Sequence, residues 1–118
     1  EGIIVSQVVP MYDAYATGVL EYRSAMQQYY PSEPAGFVSL EGYVVARLFC
    51  LALQKSGRYF DVEEVIDRLE AMQDIDLGIG QPLSFSASDH QASHQVWGAV
   101  INNEGHFESL DLEKIQVQ

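Results

Sequence analysis

Basic residues are scarce in this chain: six lysines and arginines stand against seventeen aspartates and glutamates in 118 residues, a formal net charge of −11. Such a field repels phosphate backbones and anionic lipid headgroups at long range, which argues against nucleic acid as a partner. Cysteine occurs once, so no internal disulfide can form. Cys50 lies in an apolar helical run with no basic cluster beside it, where a thiol is expected to behave as a small buried hydrophobe and not as a nucleophile. Long apolar runs are missing too. The densest, Tyr43 to Leu53, is broken by Arg47 and is too short to span a bilayer, so no direct membrane insertion is expected. No serine sits in a Gly-x-Ser-x-Gly elbow. Gly78-Ile79-Gly80 lacks the third glycine and the following helix of a phosphate loop, and reads as a flexible entry into the closing strands.

What is present reads as helices followed by strands. Ile3 to Val9 is rich in β-branched residues and stops at Pro10, which suits a strand buried on at least one face. From Asp13, a plausible N-cap, to Tyr30, the residues Tyr15, Val19, Tyr22, Met26 and Tyr29 recur at three- and four-residue spacing on one helical face. Pro31 ends that helix, and Pro31 to Gly36 reads as a connector. Ser39 is suited to cap a second helix with Glu41 in its first turn. The apolar residues from Tyr43 to Leu53 cover more than one stripe, so this helix is expected to be mostly buried, ending at Lys55-Ser56-Gly57. A third helix starts at Asp61 with Glu64 three residues on, and runs through Val65, Ile66, Leu69 and Met72. Strands are expected at Leu83 to Ser86, Gln95 to Ile101 and His106 to Leu110, the last two joined by Asn102-Asn103-Glu104-Gly105.

Few residues here have the pattern of a reactive centre. Asp89, His90 and His94 invite a metal reading, but the two histidines fall across a turn into a strand, where a spacing of four does not place both imidazoles on one face. Polar turn chemistry is the simpler account. Trp97 is suited to core packing or to stacking on a ligand. No metal, no cofactor and no catalytic residue is assigned. The chain lacks any paired acid/base or nucleophile arrangement, so it is not expected to be an enzyme.

So few strands cannot easily cover three helices, and Glu1 is not an initiator methionine. The chain is therefore expected to be the tail of a larger protein. At Ser39-Leu40-Glu41-Gly42-Tyr43, the apolar helix to Leu53, and Pro82-Leu83-Ser84-Phe85-Ser86 with Asp89-His90-Gln91, it resembles the leucine/isoleucine/valine type of type I periplasmic substrate-binding protein. The opening strand ending at Pro10 and the helix with Glu21-Tyr22 fall where that family would have them.

The resemblance implies an α/β fold: the C-terminal part of two Rossmann-like lobes that are joined by three crossovers and close over a small solute. About residues 1–76 would complete one lobe and about 77–118 would return strands to the other. It implies the solute-binding component of an ABC transporter, periplasmic or extracellular, that captures an amino acid or similar molecule and delivers it to a membrane permease. A ligand-sensing receptor domain of the same fold is the alternative. For the site, it implies Phe37 as an aromatic lining the cleft, with core packing as the competing reading. Ser39 and Glu41 are the further ligand-binding candidates at a helix amino terminus, where backbone N–H groups can receive an anion; helix capping competes for both.

Overall fold

Leu40, Val44, Leu48, Ala52 and Ser56 recur every four residues, and in the computed structural model, which describes residues 2–115, they form the buried stripe of one 20-residue helix. Residue 1 and residues 116–118, the outer ends of the two expected portions, lie outside the described residues. In chain order the elements are strand β1 (Ile4–Gln7), helices α1 (Thr17–Tyr29), α2 (Phe37–Ser56) and α3 (Val62–Glu70), strands β2 (Trp97–Ile101) and β3 (Phe107–Leu110), and a 3-10 turn at Leu112–Lys114. The result is an α/β arrangement in two packed parts.

The larger part is helical. The α2 stripe meets Val19 and Tyr22 from α1, Val65 from α3, and Met72, Leu77, Ile79 and Leu83 from the segment after α3. Truncating Leu40, which is wholly buried here, to alanine removes about 2–5 kcal/mol of stability by lost transfer energy and the cavity left behind. The smaller part is a three-stranded antiparallel sheet in the order β1-β2-β3. Val5 pairs with Ala99 and Ile101 with Phe107, so these side chains share one face with Trp97. Ala99 on that face is buried, and Trp97 is half-buried.

Several boundaries depart from those read in the sequence. Helix α1 starts at Thr17 and not after Asp13, because its first turn is capped by backbone: the Gly18 N–H donates to the Gly78 carbonyl at 2.8 Å, satisfying a donor that has no partner within the helix. A Cβ on Gly18 would run into the Leu77 carbonyl, and Gly78 has φ 69°. The Gly78 segment is thus a tight backbone contact in place of a flexible entry. Helix α2 starts at Phe37, so Ser39 falls inside the first turn and Glu41 beyond it. Tyr15 and Tyr29, expected on the apolar stripe of α1, are exposed. Asp61 caps α3 as expected, its carboxylate accepting from the Glu64 N–H at 2.9 Å. Gly57 takes φ 80° at the α2 C-cap, also as expected.

The strand expected at Leu83 to Ser86 is reduced to isolated bridges. Leu83 exchanges backbone hydrogen bonds of 2.8 and 2.9 Å with Ile75, and Ser86 bridges Asp89, so the segment folds back on the end of α3 and does not join the sheet. Helix α2 is not mostly buried either: Val38 is 85% exposed, and Val45, Phe49 and Cys50 are exposed with it. The expectation of a buried thiol fails for the same reason, since Cys50 lies opposite the stripe. By length and composition alone α2 suffices to cross a bilayer, yet one of its faces is the core of the helical part. β1, expected to be buried on a face, alternates between exposed and half-buried.

The molecule is flat, 54 × 38 × 20 Å. Its radius of gyration is 16.6 Å against about 13.5 Å for a compact domain of this length. Among the described residues β1 and β3 are sheet edges with one unpaired side each. Open edges and an apolar face on α2 are what elements of a larger fold display when described apart from their neighbours.

Candidate ligand-binding site

The amino end of α2 is set by a small hydrogen-bond circuit. The Gly36 N–H donates to the Tyr22 hydroxyl at 3.0 Å, the Tyr22 and Ser39 hydroxyls share a hydrogen bond at 2.5 Å, and the Ser39 hydroxyl donates to the Gly36 carbonyl at 3.3 Å. With Tyr22 donating to Ser39, every group in the loop is satisfied. The Tyr22 ring is buried, so the circuit anchors the Gly36–Ser39 turn to the core of the helical part. Arg47 strengthens the same α1–α2 seam, with hydrogen bonds to Glu21 (2.7 Å) and to the Tyr43 hydroxyl (3.1 Å). The bond to Glu21, then that to Tyr43, raise the guanidinium further above its ordinary range.

This anchoring places Phe37 at the junction of the two parts. Its ring meets Tyr12, in the segment leading from β1 to α1, at 5.0 Å between centroids and 80° between planes. It meets Phe107, the first residue of β3, at 5.1 Å and 85°. Both are edge-to-face contacts, the favoured geometry for two quadrupoles. Phe37 remains half-buried between them.

The three sequence candidates therefore separate. Phe37 lies between the helical part and the sheet. Ser39 is adjacent, with its hydroxyl engaged in the circuit. Glu41 lies on the exposed side of α2, in no ion pair among the described residues. Tyr12 and Phe107 were missed by sequence reasoning; the available signal was an aromatic two residues past Pro10 and another just after the hairpin turn.

The histidines have separate local partners. His90 Nε2 lies 2.8 Å from Glu70 Oε1 at the end of α3, and His94 Nε2 lies 2.7 Å from Asp89 Oδ2. Hydrogen bonds from His94 and then from the Gln91 N–H hold the Asp89 carboxyl below the usual carboxylate range. His106 is near Glu104 in the hairpin turn. Among the described residues no three His, Cys, Asp or Glu side chains gather as metal ligands would.

Comparison with known proteins identifies the family and the fold. The family model described as periplasmic binding protein matches residues 1–106. The chain belongs to the periplasmic binding protein family, whose fold serves to bind ligands. Within it, the match is to the type I, leucine/isoleucine/valine-binding kind, in its C-terminal portion. A solved structure of a possible leucine/isoleucine/valine-binding protein from Rhodopirellula baltica SH 1 is 38% identical, with a TM-score of 0.88 over 95% of this chain and 30% of its own. An extracellular ligand-binding receptor from Verminephrobacter eiseniae ef01-2 is 27% identical, with a TM-score of 0.76 over 89% of this chain and 30% of its own. A substrate-binding periplasmic protein from Ralstonia solanacearum shares the fold at 21% identity, with a TM-score of 0.78 over 91% of this chain and 31% of its own. The chain thus spans about 30% of the length of the solved structures it matches. No curated protein matches it significantly.

Proposed function

We propose that this chain is part of the solute-binding component of an ABC transporter, and that Phe37 lines the cleft in which an amino acid or similar small molecule is captured. The observation that carries the reading is the position of Phe37, half-buried at the junction of the helical part and the sheet. A solute held there touches both parts and favours the closed state by its differential contacts, which is all that capture requires. Release to a membrane permease follows from recognition of the closed form. The family supports a periplasmic or extracellular location, and a non-covalent role without turnover.

The two-lobe division is part of the same proposal. The boundary expected at about residue 76 is moved to about 95, so that the segment after α3, which Leu83 and Phe85 tie back to Ile75 and Met72, stays with helices α1–α3 in one lobe, and β2 and β3 go with the other. The antiparallel pairing of β1 with β2 supports moving the first strand to the second group, away from the helices it precedes in sequence. Ser39 acts through the circuit that orients the turn, and Glu41 is offered as a charged group at the mouth. The receptor-domain reading keeps the same site and differs only in the partner of the closed form; the name of the Verminephrobacter relative favours it.

Calorimetric titration of the full-length protein with leucine, isoleucine and valine tests the proposal. Saturable one-to-one binding is expected, with Phe37→Ala weakening it at least about tenfold through lost aromatic contact. Binding unchanged by Phe37→Ala removes that residue from the cleft, and consumption of the solute refutes the non-enzymatic reading.

A further inference from the structure

We infer that Tyr12 and Phe107 are positioning residues for ligand capture, packing against the Phe37 ring at near-right angles from the two sides of the junction so that its orientation in the cleft depends on how the sheet stands on the helices. The inference rests on the proposed solute-binding role of Phe37. Three aromatic rings from three separate segments meet here: one between β1 and α1, one at the first residue of α2, and one at the first residue of β3. Contacts at 80° and 85° on one ring leave it little rotational freedom, because each right-angled contact is lost when the ring turns about its χ2 axis. Phe107 faces the same side of the sheet as Ile101 and Ala99, and the hairpin turn fixes its place: Asn102 Oδ1 accepts from the Glu104 N–H at 3.0 Å and the His106 N–H at 2.9 Å. The grip on Phe37 is therefore anchored in the sheet, while the Tyr22–Gly36–Ser39 circuit anchors its backbone in the helices. Any change in the angle between the parts moves Phe107 relative to Phe37, which couples the aromatic wall of the cleft to closure.

The test uses the full-length protein and leucine as the probe. Phe107→Leu keeps most of the apolar volume and loses the ring, and it is expected to weaken leucine binding about three- to tenfold. Phe107→Tyr retains an aromatic ring on the half-buried β3 position and is expected to recover most of that loss. Melting of the ligand-free proteins separates this from simple destabilisation: the binding loss should persist well below the melting temperature of Phe107→Leu. Equal binding by wild type and Phe107→Leu overturns the inference while leaving solute capture standing. So does a loss that Phe107→Tyr fails to restore. A wild-type protein that binds none of leucine, isoleucine or valine refutes the capture of these solutes, and the inference with it.

Discussion

Replacing Tyr22 by phenylalanine isolates the hydroxyl that organises the amino end of α2. The ring is 1% exposed and its apolar part is conserved in the variant, so no cavity opens and no transfer energy is lost. What disappears is the acceptor for the Gly36 N–H at 3.0 Å and the partner of the Ser39 hydroxyl at 2.5 Å. Ser39 is exposed and turns to water at little cost, keeping its bond to the Gly36 carbonyl. Gly36 is half-buried, so its N–H is only partly resolvated and dominates the loss. One net hydrogen bond plus part of a desolvation penalty amounts to about 1–2 kcal/mol. For a protein of the size of its solved relatives this lowers Tm by about 1–3 °C, read by calorimetry on the full-length protein. Ser39→Ala should cost less, about 0.5 kcal/mol, and the double variant should fall short of the sum because both changes break one circuit. A Tyr22→Phe protein that melts within about 0.3 °C of wild type would refute the anchoring role. So would additive losses. Because Phe37 follows Gly36 directly, the same variant is expected to weaken solute binding more than its stability loss explains.

Other consequences are as direct. Gly18→Ala forces a Cβ into the Leu77 carbonyl and breaks the cap from Gly78, and should cost about 2–3 kcal/mol by thermal melting, where Gly→Ala inside an unconstrained helix would stabilise. Arg47→Met removes an ion pair whose side chains are 41% and 57% exposed, so chemical denaturation should show a loss below about 1 kcal/mol that shrinks further in high salt. Asp89 carries a folded-state pKa lowered chiefly by His94, so its contribution is present above the ordinary carboxylate range and is lost as pH falls through the lowered value. NMR of the His94 ring across pH 2 to 5, values on the order of the carboxylate range, should report that loss, and Asp89→Asn should abolish it.

The legible features were those fixed by local chemistry. The Asp61 N-cap of α3, Gly57 at the end of α2 and the Asn102–Gly105 hairpin turn need only near neighbours to form, and each stands where the residues place it. What could not be read depended on contacts distant in sequence. The start of α1 is decided by Gly78, sixty residues on, and the Leu83–Ser86 segment is held by Met72 and Ile75 instead of joining the sheet. The apolar residues of α2 suggested burial on several sides; among the described residues only one side is covered, and Val38, Val45 and Phe49 stay exposed. For the candidate site, Phe37 was singled out through family likeness alone, and its place in a cleft is the reading proposed above. Its partners Tyr12 and Phe107 were not, because aromatics 25 and 70 residues away meet only once the sheet is set against the helices.

A crystal structure of the full-length protein soaked with leucine tests the central claim most directly. The account predicts the solute between the sheet-bearing and helix-bearing parts, in van der Waals contact with the Phe37 ring while Tyr12 and Phe107 pack against that ring at near-right angles. Leucine bound elsewhere, with Phe37 closed off inside apolar packing, would contradict it.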